Sequence, residues 1–410
     1  MTSTPSTPSA PPDPRDQRVV LIGGGLTAGT AAVTLREQGH RGPLVLLSAE
    51  GHVPYERPGL SKGYLAGKED AASLEVRPAE WYAEHDVDLR LATTATALDL
   101  AAQVVTTSSG EDVGYDQLLL ATGASARHLE MADAAAEAGA KVCYLRTIED
   151  ADALQLHLHQ GSHVVIVGGG FIGLEVAATA RGRGADVTVL EAKGFPLVDV
   201  LGEQVALLLA ETHREHGVDL RQNTSVTEVR LVDGLAMVEL DGLPGVAGDV
   251  LVVGIGAIPN ADLAAQAGLA VDNGIVVDEH LRTSDPHVLA AGDVARFAHP
   301  GLGRSLRVEH WATAQAHGAL AARTILGQDA TVEEQPFFFS DQYDLGMEHF
   351  GDVGPDGVDE VVVHGDLGTS LVAFYAREGI IRAALHVNAW DRSDELKQAV
   401  ADGTRIETVR

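Results

Sequence analysis

The sequence predicts an α/β fold made of two Rossmann-like dinucleotide-binding domains and a smaller third domain. Three observations predict it. A complete strand, glycine turn, helix, strand and acid unit runs from His163 to Glu191. A second copy of that unit runs from Arg18 to Glu50. After Thr331 the pattern changes to short alternating strands, such as Val361 to Val363 and Leu371 to Tyr375, separated by turn residues. A chain of 410 residues accommodates roughly two to three domains.

The start, MTSTPSTPSAPPDPRD, is rich in Pro, Ser and Thr and lacks a charged segment followed by an apolar core. Residues 1–15 are therefore expected to form a disordered tail and not a secretory signal. Arg18 to Ile22 is an apolar strand, followed by GGGLTAGTAA. Gly23 and Gly25 take the first two glycine positions, Thr27 lies in the turn, and Ala28 takes the third position. A helix is predicted to about Gln38. The strand Leu44 to Leu47 then leads to Ala49 and Glu50, near the offset of about 20 residues at which an acid meets a ribose. Next comes HVPYERPGLSKGYLAG, held as a loop by its prolines and glycines. It carries two cations, Arg57 and Lys62, placed where pyrophosphate or the electron-rich part of a flavin could lie.

In the second unit Val164 to Val167 reads as a short buried strand. Gly168, Gly170 and Gly173 follow in the spacing G-x-G-x-x-G, with Phe171 and Ile172 between the last two. Gly168 permits the tight turn, Gly170 lets a pyrophosphate approach the backbone, and Gly173 lets helix and strand pack closely. Free N–H groups at the helix start, with the helix dipole, favour the phosphate charge. Glu191 follows near the ribose offset, and a carboxylate there repels a 2′-phosphate, which favours NADH over NADPH. Two such units mean two dinucleotides, or an internal duplication holding two different ones.

Composition excludes several classes. The net charge of −30 argues against nucleic acid or an anionic membrane as partner. No apolar run reaches the 18 or so residues needed to cross a bilayer. The single cysteine, Cys143, excludes an intramolecular disulfide and with it a redox-active cysteine pair. No metal site follows from the spacing of His and Cys.

The loop PYERPGLSK, set between these motifs, resembles the flavin loop of the flavin-dependent pyridine-nucleotide reductases of the ferredoxin reductase type. That group includes putidaredoxin, rubredoxin and aromatic-dioxygenase ferredoxin reductases and the apoptosis-inducing-factor-like oxidoreductases. The resemblance covers nearly the whole chain after the tail. It implies a glutathione reductase-like pair of domains, with FAD on residues 16–127 and 257–330 and NAD on residues 128–256. Residues 331–410 would form a C-terminal α+β interface domain. It implies that Arg57 and Lys62 contact flavin, and that the ribose acid is Ala49 or Glu50 by position, since relatives differ. It puts Ala95, with Ala121, Thr122 and Gly123 of LLLATGASAR, against the adenine half, and Arg127 at the end of that motif. Gly254 and Gly256 in VVGIGAIPN match the closing turn of the nicotinamide domain. Asp293 matches the acid on the ribityl chain. Glu309, His310 and Trp311 match residues against the isoalloxazine and nicotinamide, in a short strand and helix read from RVEHWATAQAHGALAA. Phe339 stands where relatives have a stacking Trp. Finally, Lys62 and Glu175 match an ion pair beside flavin N5.

Three departures qualify these expectations. The loop's second proline is Gly59, which predicts a softer loop. Two arginines that grip the adenosine end of NAD in relatives are replaced by Phe195 and Asp199. NADH affinity is therefore expected to be modest, with Lys193 the candidate to compensate. A reductase for acidic ferredoxins usually presents a basic docking face, yet Arg296, Arg304, Arg307, Arg323 and Arg382 are dispersed in sequence. The resemblance implies a cytoplasmic NADH-dependent, FAD-containing reductase, monomer or homodimer, passing electrons to a two-iron, two-sulfur ferredoxin of an oxygenase system. The alternatives are an NADH oxidase or quinone reductase without ferredoxin, and an apoptosis-inducing-factor-like redox sensor.

Overall fold

The computed structural model describes residues 13–366 and 369–410. Residues 1–12 of the expected tail lie outside the described residues. Asp13 to Arg15 are already ordered: Pro14–Asp16 is a 3-10 turn capped by Asp13, and Arg41 ion-pairs with both Asp13 and Asp16.

Among the described residues, two five-stranded parallel sheets share the arrangement of four strands and differ in the fifth, an edge strand that comes last in chain order in the first sheet and first in the second. The first runs Val288–Ala290, Gln117–Leu120, Val19–Ile22, Leu44–Leu47, Val87–Arg90. The second runs Asp219–Arg221, Asp186–Leu190, His163–Val167, Val250–Val253, Val142–Cys143. The central strands VVLI, LVLL and VLVV are buried along their length, as a parallel sheet covered on both faces requires. A three-stranded antiparallel sheet flanks each: Ala95–Asp99 with Val104–Thr107 and Asp112–Gly114, and Val226–Val232 with Leu235–Leu240 and Leu243–Gly248.

The chain leaves the first unit and returns to it side by side. Ala124–Ala126 pairs antiparallel with Ala257–Pro259, and the Arg127 N–H donates to the Gly256 carbonyl at 2.9 Å. On return it forms the helix Trp311–Ile325, which packs on Leu26–Glu37. The strand expected just before this helix is Arg304–Leu306; Glu309 and His310 leave the ladder and line a cavity.

The last unit is an antiparallel sheet in the order Phe337–Gln342, Leu345–Gly351, Ile380–Val387, Ser370–Arg377, Glu360–Asp366. One face is closed by Ser393–Ala401 through Phe350, Phe374, Leu396 and Val400. The other packs Met347, Tyr375 and Leu385 against Leu201, Val205 and Leu209 of the helix Val198–Glu215, which belongs to the second unit. Burying several such side chains at about 1.5–3 kcal/mol each makes this a core-like junction and not a sliding one. None of the described helices is long and apolar enough to cross a membrane.

Candidate active site

Both glycine turns open into one cavity of about 870 Å³. From the first unit it is lined by Gly23, Gly25, Thr27, Ala49, Glu50, Arg57, Lys62, Ala95, Ala121, Thr122, Gly123 and Asp293. The second unit contributes Gly170, Phe171, Ile172, Gly173, Glu175, Gly254 and Gly256. Glu309, His310, Trp311 and Phe339 close it. Four expected residues do not border it. Ala28 is wholly buried beneath its turn. Gly168 shapes the second turn at φ +105°, with its α-carbon against the Gly254 carbonyl. Arg127 pairs its backbone with Gly256 outside the lining. Glu191 is held behind the turn, where its carboxylate accepts from the Gly169 N–H at 2.8 Å and the Lys193 N–H at 2.7 Å.

The turns fit dinucleotides on their own geometry. The helices Leu26–Glu37 and Phe171–Gly182 begin at Gly25 and Gly170, neither of which carries a side-chain cap, so their leading N–H groups face the cavity. A Cβ on Gly25 would meet no atom within 4 Å, and one on Gly170 only the Gly254 carbonyl at 3.9 Å; the space above both turns is open.

In the flavin-like loop Arg57 donates to the Tyr55 hydroxyl at 2.9 Å and to Glu50 at 2.6 Å, and also to the Arg146 carbonyl. Tyr55 donates to the other Glu50 oxygen at 2.5 Å. Burial works against charge on Arg57, but Tyr55 and Glu50 outweigh it and hold its pKa up. Gly59 has a local cause: a Cβ there would lie 2.5 Å from Leu74, so packing against the following 3-10 turn suits a glycine.

Lys62 Nζ lies 3.2 Å from Glu175 Oε1, 3.8 Å from Asp341 and 4.6 Å from the centre of the Phe339 ring. Glu175 is only 4% exposed. Burial raises its pKa, opposed first by Lys62 and then by hydrogen bonds from Ser61 at 2.5 Å and Ser340 at 2.7 Å. The Phe run divides its work. Phe338 is buried beside Phe171 and His310, whereas Phe339 offers its face to Lys62 and its edge region to Trp311 at 6.3 Å. Trp311 Nε1 donates to Glu56 at 2.8 Å. Glu309 pairs with Arg307. Burial pushes His310 down to about 4, so it is neutral, and its Nδ1 has no partner among the described residues.

Several lining residues escaped the sequence reading. Arg146 pairs with Asp293 at 2.8 Å, and Asn260 exchanges two hydrogen bonds with Thr122, at 2.7 and 2.9 Å. Arg146 directly precedes the Thr147–Asp150 capping box, a readable helix start, but nothing local points to Asp293. Beyond the cavity, Lys193 is paired with Asp199, and both side chains are exposed to solvent.

Comparison with known proteins completes the description. Residues 17–318 match the pyridine nucleotide-disulphide oxidoreductase family, and residues 337–410 match the reductase C-terminal family. The chain is 36% identical to putidaredoxin reductase CamA of Pseudomonas putida over 399 residues, covering 96% of this chain and 93% of that one. It is 39% identical to the ferredoxin–NAD(+) reductase component of the anthranilate 1,2-dioxygenase system of Burkholderia cepacia, with 94% of each chain covered. Among solved structures, the covalent putidaredoxin reductase–putidaredoxin complex superposes with a TM-score of 0.90 at 36% identity, covering 94% of this chain and 93% of that one.

Proposed function

Because the chain belongs to the pyridine nucleotide-disulphide oxidoreductase family and ends in a reductase C-terminal domain, we propose that it is an FAD-containing, NADH-dependent ferredoxin reductase. It works in the cytoplasm, where NADH is supplied, and feeds an oxygenase system through a two-iron, two-sulfur ferredoxin. The observation that carries this reading is the Lys62–Glu175 pair in a cavity shared by two glycine turns and free of cysteine.

The residues divide between two nucleotides. Gly23, Gly25 and the start of Leu26–Glu37 would hold the FAD pyrophosphate, with Glu50 and Ala95 toward its adenosine and Asp293 toward its ribityl chain. Gly170 and the start of Phe171–Gly182 would hold the pyrophosphate of NAD, with Glu191 at its ribose. Held by these residues, FAD would supply the hydride-accepting and one-electron-releasing chemistry. Lys62, held by Glu175 and the Phe339 face, keeps a positive charge at the junction of the two sites. His310, neutral and with a free Nδ1, offers a polar contact without adding charge.

Electrons leave to a partner because no second thiol waits in the chain. Cys143 is the one cysteine, it lies on the edge strand Val142–Cys143, and burial raises its thiol to about 11. Two features support NADH over NADPH: the Glu191 carboxylate held behind the second glycine turn, and Asp199 where relatives carry arginine.

Anaerobic titration with NADH and with NADPH, followed by ferredoxin and cytochrome c, tests the proposal. The expected result is flavin bleaching at lower NADH than NADPH concentration, and cytochrome c reduction only with ferredoxin present. Rapid reoxidation by oxygen or quinone alone would make the protein an oxidase or quinone reductase. A long-wavelength band persisting in air would make it a sensor. Failure of both nucleotides to bleach the flavin would overturn the reading.

A further inference from the structure

A buried hydrogen-bond chain leads away from Glu175 into the third domain and ends on the second. Ser340 Oγ donates to Glu175 Oε1 at 2.7 Å. Gln342 Nε2 donates to Ser340 Oγ at 3.1 Å. His213 Nε2 lies 2.9 Å from Gln342 Oε1, and the Tyr343 hydroxyl lies 3.1 Å from His213 Nδ1. Tyr343 in turn stacks on His216 at 3.6 Å. Ser340, Gln342 and His213 are each at most 1% exposed, so water does not compete for these groups.

With Glu175 ionised against the rise that burial imposes on its pKa, the direction of every bond in the chain is set. A carboxylate only accepts, so Ser340 must donate to it. Ser340 then accepts from the Gln342 amide, whose carbonyl must accept from His213 Nε2–H. His213 Nδ1 is left as an acceptor for Tyr343. Every member is satisfied, with all donors pointing toward Glu175, and such aligned bonds reinforce one another. This arrangement requires neutral His213, and burial, which lowers its pKa to about 4, keeps it so. A proton on Glu175 Oε1 would turn the Ser340 bond around and leave the serine O–H without its acceptor, so the chain opposes protonation at that oxygen, the one nearest Lys62.

We propose that His213 and Gln342 are positioning residues that act through Ser340 to hold Glu175 as a carboxylate, and so hold Lys62 in place at the junction of the two nucleotide sites. The proposal rests on the assignment of Lys62 and Glu175 to the redox site. The other charged or titratable groups facing the chain are Lys62 and, beyond it, Asp341 on the Glu175 side, and His216, Tyr343 and Arg181 on the His213 side. The helix Val198–Glu215 of the nicotinamide unit thereby senses, through one polar line, the strand Phe337–Gln342 that also carries Phe339.

The test uses the holoenzyme and reads protonation directly. The carbonyl-stretching infrared band of a protonated carboxyl is followed against pH and assigned to Glu175 by its loss in Glu175→Gln. The double variant His213→Leu/Gln342→Met removes both partners of the central bond, which avoids leaving one of them orphaned in the core. Its thermal midpoint and FAD content report that it is folded. The protonated fraction at a given pH is expected to rise about threefold in this variant, and about tenfold in Ser340→Ala, which loses the direct bond. His213→Gln, which restores a donor to Gln342, should return the titration toward that of the wild type. A folded double variant whose Glu175 band titrates as in the wild type would overturn the proposal. A shifted band with an unchanged pH profile for flavin reduction would support the chain and overturn the role of Glu175 in the redox site.

Discussion

Gly168 and Gly170 stand two residues apart in one turn, yet the structure gives alanine at each a different outcome. Gly168 has φ +105°, and a Cβ would lie 2.3 Å from the Gly254 carbonyl oxygen. Gly168→Ala therefore meets both backbone strain of about 1–3 kcal/mol and a contact with rigid backbone. Gly170 has φ −75° and ψ 178°, which any residue adopts, and its Cβ would meet nothing closer than 3.9 Å. Gly170→Ala should cost the fold no more than about 1 kcal/mol, the usual difference between Gly and Ala at a helix N-cap. Its methyl group, however, projects where a pyrophosphate must reach the leading N–H groups. Losing one charge-assisted hydrogen bond there costs about 1.5–3 kcal/mol, or roughly 10- to 100-fold in NADH affinity. Stopped-flow flavin reduction against NADH concentration measures this, and thermal melts measure the fold. The expected pattern is a raised half-saturation concentration with the melting point kept for Gly170→Ala, and a lowered melting point for Gly168→Ala. An unchanged NADH dependence in Gly170→Ala would refute the assignment of this helix start to the nucleotide.

Three further outcomes follow from the geometry. Lys62→Met removes the charge facing Glu175 and Phe339, and it should slow the limiting rate of flavin reduction by about tenfold or more, the scale of a single 1.4 kcal/mol interaction. Equal stopped-flow rates in Lys62→Met, Glu175→Ala and wild type would sink the role of the pair. Asp199→Ala frees Lys193; since that pair is solvent-exposed and worth at most about 1 kcal/mol, the NADPH-to-NADH ratio of kcat/KM should rise by no more than about fivefold. A ratio that fell would show that Lys193 points away from the nucleotide. His317 and His349 are pushed by burial to about 3, and His213 and His310 to about 4, all below the ordinary value near 6.5. The unfolded chain takes up protons first, so their contribution is complete above about pH 6.5 and drains as pH falls toward 4. Neither ring nitrogen of His349 has a partner among the described residues, so His349→Leu should add about 1 kcal/mol at neutral pH and flatten the acid slope in urea titrations. An acid slope identical to that of the wild type would refute this.

Legibility in the sequence tracks the distance over which each feature is encoded. The two glycine units were readable because turn, helix start and second strand lie within about 30 residues and repeat. The structure returns them as two parallel sheets in which four strands lie in matching order. The Lys62–Glu175 contact was reached through resemblance alone, since nothing local in KGYL or FIGLEV specifies a partner. Arg146 was missed for the same reason: its acid, Asp293, lies 147 positions away, and an arginine before a capping box looks like any helix entrance. The relay to His213 is harder still to see. Gln is mostly exposed, and in sequence Gln342 and His213 each stand among charged residues, in SDQYD and ETHREHG. What makes them interior is the docking of the helix Val198–Glu215 on the third domain, an event of tertiary packing that no local pattern announces. That docking also bears on mechanism. Tyr375 donates to the Leu201 carbonyl at 2.7 Å, within the stretch that contains Asp199 and in which Leu197 and Gly202 both take positive φ. The segment around Asp199 is thus braced by the domain that also presents Phe339. A change in nucleotide grip at Asp199 and a change in the setting of Lys62 are therefore carried by one packed unit, and substitutions at the two ends are expected to couple in a double-mutant cycle.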